Sequence, residues 1–246
     1  MIRINNVPVE MLKSEEGKTM RESGILMPVS SLPGPYGIGC FGKEAFKFVD
    51  FLADAGQKIW QILPLSPTGY GDSPYQSCSA FAGNPYFIDL DALKEEGLLT
   101  AAQLKAEDWG KNPKEVDYGT LYVSRYKMLR TAYAAWRKAC AGLHGCAAYF
   151  PDDYYAFTLA NEDWLDDYAL YMALKTANGM KNWVEWEKPY RLRDKKALAA
   201  FAGAGKSIYL FRFLHNGQER PESAAEIRNT FHLTTRPEYD TLYVSK

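Results

Sequence analysis

Residues 67–86 hold the densest set of groups able to do chemistry in this 246-residue chain. Pro67-Thr-Gly-Tyr-Gly-Asp-Ser-Pro-Tyr-Gln-Ser77 runs on to Ser79-Ala-Phe-Ala-Gly-Asn-Pro-Tyr86. Its glycines permit positive φ and its prolines stiffen the backbone without donating hydrogen bonds, so a long loop of defined shape is expected. That loop displays Tyr70, Tyr75, Tyr86, Asp72, Ser73, Gln76 and Asn84. A sugar needs flat apolar surface for its ring faces and mixed donors and acceptors for its hydroxyls, and this set supplies both. The competing reading on the same residues is a self-packed Ω-loop whose polar groups satisfy its own backbone.

Other chemistries do not fit. Gly34, Gly37 and Gly39 give no GxGxxG, and no Lys-Ser/Thr follows them as a phosphate-binding loop requires. GxSxG and HExxH are absent. His144, His215 and His232 are scattered, and Asp152-Asp153 and Asp166-Asp167 read as solvated charges at helix starts. Cys40, Cys78, Cys140 and Cys146 form no CxxC and have no histidine at metal-ligand spacing, so neither a zinc site nor any other metal is expected. The sequence has no secretory h-region or long apolar run and few cysteines, which predicts a reduced, cytoplasmic protein. A net charge of −1 gives no pull toward nucleic acid or an anionic membrane, and neither is expected as a partner.

The elements that must position the loop are legible upstream. Gly24-Ile-Leu-Met-Pro-Val29 is a short apolar run that predicts a fully buried parallel strand, with Pro28 near its end. Ser30–Gly39 is dense in turn formers. Ala45, Phe48, Val49 and Leu52 then follow helical spacing, and Gly56 sits where a helix would end. Ile59–Leu65 reads as a second buried strand. Strand, helix, strand in about 40 residues is a βαβ unit, so both flanking loops leave strand C-terminal ends, the face where barrel enzymes place their sites. Beyond Leu90 the pattern turns helical. Tyr122, Tyr126, Leu129, Tyr133, Trp136 and Cys140 step by four and three along one expected core face, and Leu165, Tyr168, Ala169 and Met172 repeat this in a later helix.

Four stretches carry a family resemblance: Ser31-Leu-Pro-Gly-Pro-Tyr-Gly-Ile-Gly39, Trp60-Gln-Ile-Leu-Pro-Leu65, Pro67–Gln76 and Ser79–Tyr86. They are long, ordered and specific, and they resemble the start of amylomaltase, the 4-α-glucanotransferase or disproportionating enzyme. Val116–Tyr122, Asp166–Lys175, Trp183 with Trp186, and Tyr190–Asp194 echo it more weakly, and the coverage runs from about Met20 to Ala202. The resemblance implies an α/β fold, the start of a (β/α)₈ TIM-type barrel with a helical insertion after its second strand, and no cofactor. It implies transfer of α-1,4-glucan segments between malto-oligosaccharides, with an Asp nucleophile and a Glu acid in a retaining double displacement. By position in the motif, Ser73 and Tyr75 match residues near the scissile bond, and Tyr70 and Tyr122 match aromatics of a second glucan-binding groove.

Elsewhere the chain departs from that family. The nucleophile's Arg-Ile-Asp-His-like motif, the acid's Glu-Asp-Leu-Gly and the third carboxylate's His-Asp-Asn are not present, so no catalytic residue is assigned. Glu107-Asp108-Trp109-Gly110 imitates the acid motif but lies before most of a barrel, and it is rejected. The expected division is 1–19 as an untranslated leader or a disordered extension, 20–90 as the first βαβ with sugar-binding loops, 91–202 as a helical insertion, and 203–246 as a divergent tail. Back-translating Glu219–Arg228 one nucleotide out of frame permits a helix-like run, which suggests a frameshift between Ala202 and Asn216. The barrel is therefore expected to be incomplete in this chain and the chain inactive as written. The alternatives are a non-catalytic glucan-binding fragment and an unfolded pseudogene product.

Overall fold

The computed structural model describes residues 2–3, 23–141 and 159–203, with short strands at 234–235 and 242–243. The described chain divides into two compact units, with the boundary after Leu129.

In the first unit, β1 (Ile2–Arg3), β2 (Gly24–Leu26) and β3 (Ile59–Gln61) form one sheet in the order β1-β3-β2. β2 and β3 are parallel, with Ile25 opposite Trp60 and Leu26 opposite Gln61, and α1 (Lys43–Asp54) is their crossover. The expected βαβ unit is present. Ile2 and Arg3, within the expected leader or extension, lie antiparallel along the other edge of β3.

The sequence dictates α1 closely. Ala45 and Leu52 are buried, with Phe48 and Val49 half-buried beside them. Gly56, at φ +71°, ends the helix, its N–H donating to the Ala53 carbonyl while Gln57 N–H donates to Leu52. That pair of bonds is the Schellman closure, and it satisfies two carbonyls the helix would otherwise leave open.

Both strands are shorter than expected, and the first is not buried. The expected strand Gly24–Val29 ends at Leu26, and Gly24, Ile25 and Leu26 are all exposed. Two physical reasons apply. Pro28 lacks the N–H that would continue the ladder, so the chain turns into a 3₁₀ segment at Val29–Ser31. Among the described residues β2 pairs with β3 and has no second neighbour of the kind that buries an interior parallel strand. Val29, beyond the strand, is the residue that enters the core. There it joins Leu32, Ile38, Leu52, Trp60, Tyr86, Phe87 and Leu121. Trp60 is the centre: its ring meets the Phe48 edge at 5.1 Å, and its Nε1–H donates to the Met27 carbonyl at 2.8 Å.

Between residues 90 and 203 every described regular element is helical: α2 (Leu90–Glu95), α3 (Ala101–Lys105), α4 (Tyr118–Ala141), α5 (Leu165–Ala177), α6 (Lys188–Arg191) and α7 (Lys195–Gly203). Asp89 caps α2 by accepting from Asp91 N–H, and Thr100 with Gln103 forms a reciprocal capping box on α3. The expected core face of α4 holds at Leu129, which is fully buried, and in part at Tyr126, which packs on the core, but needs correction at its start. Leu121, Ser124, Arg125, Met128, Leu129 and Ala132 are the buried positions, while Tyr122 is 47% exposed. Steps of four and three fit 121-125-128-132 as well as 122-126-129-133. The arginine at 125 hid the true face, and the neighbouring rings drew the reading one residue over.

In the second unit, Leu174 of α5 packs with Trp186 and Phe201. Asp167, in the first turn of α5, takes a two-pronged bond from Arg193 at 2.8 Å to each oxygen. In the tail, β4 (Thr234–Thr235) and β5 (Leu242–Tyr243) pair antiparallel, and the expected frameshift point lies outside the described residues.

Cys78 is exposed and Cys40 half-buried, and neither is in a disulfide. Burial, helped by the nearby Asp89 charge, pushes the Cys40 thiol up to about 11. Since the thiolate is the nucleophile, iodoacetamide at pH ~8 should label Cys78 and leave Cys40 unmodified until the protein is unfolded. Peptide mass mapping checks this, and equal labelling of both would contradict the buried position of Cys40. The side chain of Cys140, with Cys146 and the three histidines, lies outside the described residues.

Candidate functional site

Two loops leave the C-terminal ends of β2 and β3, and each is held by its own chemistry. The first, residues 30–39, is closed by Gly39 N–H donating to the Ser30 carbonyl at 3.1 Å. At Gly37, with φ +75°, a Cβ would lie 2.3 Å from the Trp109 carbonyl oxygen, so only glycine allows this approach. Tyr36 sets its ring edge-on to Trp109 at 5.2 Å and donates its hydroxyl to Asp91 at 2.8 Å.

Arg125 pins this loop from beneath. Its guanidinium donates to the Tyr36 carbonyl at 3.4 Å and to the Ile88 carbonyl at 2.5 Å, and it is 1% exposed. Burial draws it down to about 10, opposed by the neighbouring Cys40 and Asp89. It therefore remains a cation at neutral pH, joining α4, the first loop and the entry to α2. Sequence reasoning missed this residue. Its signal was position: Arg125 sits on the Leu121–Met128–Ala132 rail, where an apolar residue would be expected.

The second loop, residues 66–85, is stiff. Asn84 N–H donates to the Leu65 carbonyl at 2.7 Å, and the Asn84 side chain caps the turn Pro85–Phe87 by accepting from Tyr86 N–H at 3.0 Å. Ser79 Oγ accepts from Phe81 and Ala82 N–H. Gln76 N–H donates to the Ser73 carbonyl, and Tyr75 N–H reaches Ser73 Oγ at 3.4 Å. Gly71 and Asp72 are both left-handed, at φ +99° and +56°.

These contacts divide the expected sugar-facing set. Asn84 and Tyr86 are not displayed: both are buried, and they form the loop's footing. That much of the self-packed reading holds. Tyr75 is 73% exposed and Tyr70 stands wholly in solvent, while Ser73 and Asp72 are half-buried. Tyr122 belongs to a chain of rings: it meets Tyr126 at 5.2 Å, Tyr126 meets Tyr86 at 5.9 Å, and Tyr86 meets Tyr118 at 5.9 Å. Tyr70, fully exposed, stands apart from that chain.

A cavity of about 70 Å³ between the two loops is lined by Tyr86 and Tyr118 together with Ser30, Thr68, Asp72 and Asn84. A small-molecule pocket runs to roughly 300 Å³ or more, so this cavity has room for a few waters or one substituent of a larger ligand lying above it. Burial, and then the Asp72 charge, raises the Tyr118 phenol. It stays neutral and able to donate.

Glu107-Asp108-Trp109-Gly110 is occupied with local structure. Glu107 pairs with Lys127 at 2.5 Å, Asp108 accepts from Gly110 N–H at 2.9 Å, and Trp109 Nε1–H donates to the Leu104 carbonyl. Among the described residues no group of His, Cys, Asp and Glu is placed to hold a metal ion, and no helix is long and apolar enough to cross a membrane.

Residues 27–218 match the family model described as 4-alpha-glucanotransferase. The 4-alpha-glucanotransferase of Clostridium butyricum is 46% identical over 176 residues, which are 71% of this chain and 34% of that protein. That of Thermus thermophilus is 46% identical over 181 residues, 72% of this chain and 33% of its own. Among solved structures, the amylomaltase from Streptococcus agalactiae in complex with acarbose aligns with a TM-score of 0.68 at 40% identity, covering 75% of this chain and 36% of that one. The chain spans about a third of the length of the relatives it matches.

Proposed function

This chain belongs to the 4-alpha-glucanotransferase family, and from that premise we propose that its two strand-end loops bind α-1,4-glucan, with Ser73 and Tyr75 at the inner surface and Tyr70 and Tyr122 at an outer one. The observation that carries this reading is the exposure of Tyr70 and Tyr75 on a loop whose backbone is held by its own hydrogen bonds. A tyrosine ring held in water by a rigid loop loses little entropy on binding, and it offers a flat face to sugar C–H groups and a hydroxyl to sugar oxygens. The small cavity beneath fits a wall that supports a chain lying across it better than a closed pocket.

The parent reaction is transfer of glucan segments between malto-oligosaccharides by a retaining double displacement, in which an acceptor hydroxyl takes the place of water. In this reading, 20–90 is the start of a (β/α)₈ barrel and 91–202 a helical insertion. The family's nucleophile and acid motifs do not occur in the 246 residues. Alone, this chain holds glucan without cleaving it.

Electrophoresis through a glycogen-containing gel, with glucose release from maltotriose assayed in parallel, tests both halves. The folded chain should be retarded and should release no glucose. Tyr70→Ala and Tyr75→Ala should each weaken retardation about fivefold, the size of a ~1 kcal/mol ring contact. Glucose release would overturn the non-catalytic half, and migration of folded chain unchanged by glycogen would overturn the binding half.

A further inference from the structure

We infer that Asp72 reads a single sugar hydroxyl, accepting its hydrogen bond at the cavity between the two loops that it helps to line. This rests on the glucan reading above and names the residue that would give that surface its specificity.

The backbone is the first observation. Asp72 adopts φ +56° directly after Gly71, in the left-handed region that Asp and Asn enter more readily than other L-residues with side chains, so its placement there is fixed by the turn. Glycine is available to this loop on either side of Tyr70, yet a carboxylate stands at 72. The second observation is the setting. Asp72 lines the cavity together with Ser30, Thr68 and Tyr118, and among the described residues no Lys or Arg lines it. Its own N–H is already used, donating to the Gly69 carbonyl, so the conformation is fixed from behind. Burial raises the carboxyl above its ordinary range, and its charge is felt by both Tyr86 and Tyr118.

A carboxylate in such a place has acceptor capacity that no cation among the described residues lining the cavity meets. A sugar hydroxyl is a donor small enough for the space available. Phosphate and carboxylate ligands would be repelled, so the chemistry selects a neutral polyol. Ser73 follows Asp72 directly and Tyr75 lies two residues further along the loop, so a sugar ring resting on them would bring a hydroxyl to it.

The left-handed backbone supplies an unusually clean test. Asp72→Gly and Asp72→Asn both tolerate positive φ, so each changes the side chain while keeping the loop. Affinity for maltotriose, and for maltotrioses each lacking one hydroxyl, would be measured by calorimetry for the wild type, both variants and Tyr75→Ala. Thermal melts of each would accompany the binding data. Wild type should lose about tenfold in affinity for one of the deoxy sugars. Asp72→Gly should bind intact maltotriose about tenfold more weakly with an unchanged melt, and should no longer distinguish that deoxy sugar. Asp72→Asn should fall between them. If Asp72→Gly binds maltotriose as wild type does, or still discriminates against the same deoxy sugar, Asp72 is not the reader while the glucan surface stands. If wild type binds no maltotriose, both readings fall.

Discussion

Replacing Trp60 with alanine should destabilise the first unit by about 4 kcal/mol, a loss measurable as a shift in urea unfolding followed by far-UV circular dichroism. Trp60 is 1% exposed and fills the space between β3 and α1, against Phe48. Removing it leaves a cavity the size of an indole ring at the centre of a close-packed aromatic core. It also strips the Met27 carbonyl of the Nε1–H donor that holds the exit of β2. Both loops spring from the strand ends this ring ties together, so glycogen retardation should be lost along with stability. Trp60→Phe separates the two effects. It keeps most of the packing and loses the hydrogen bond, at a cost of about 1–2 kcal/mol. A Trp60→Ala protein as stable as wild type would mean that the two strands are held by something other than this ring.

Arg125→Met should cost about 3 kcal/mol, because two carbonyls lose a charged donor inside the protein and Asp89 loses a neighbouring counter-charge. Arg125→Lys should recover little. A lysine presents a point charge, whereas the guanidinium forks toward the Tyr36 and Ile88 carbonyls at once. The first loop should loosen, which limited proteolysis within residues 32–38 would detect. The deficit should also depend on pH. Burial raises Asp89 above the ordinary carboxyl range, with its bond to Asp91 N–H pulling the other way. A group raised on folding contributes stability when protonated and loses it as pH rises through its folded value. Without Arg125 the charged form of Asp89 costs more, so the variant's deficit should be larger at pH ~7 than at pH ~4. A deficit that did not change with pH would show that Arg125 acts through its carbonyl bonds alone.

The βαβ unit was legible because its signals are local and redundant. Apolar runs, a helical stripe through Ala45–Leu52 and the stop at Gly56 all agreed, and the structure has each of them. The second loop was legible for the same reason: a glycine- and proline-rich stretch carrying Tyr70 and Tyr75 can only be a shaped surface segment. Its resemblance to the 4-alpha-glucanotransferases lies in those same local motifs, and residues 27–218 match that family.

Burial was the part that needed three dimensions. Ile25 and Leu26 are as apolar as any core strand, yet they are exposed because burial depends on what lies beside β2, and among the described residues β2 has one strand neighbour. Asn84 and Tyr86 looked like display residues by type, but a hydrogen bond to Leu65 turns them inward. On α4 the rails through Leu121 and Tyr122 have the same period. Only the packing of Arg125 against the first loop and the entry to α2 determines which one faces in. Sequence alone thus determined the elements, the loop and the family, because each is encoded in neighbouring residues. Tertiary structure decided which side chains of that loop remain exposed and which are buried, because that depends on partners distant in the chain.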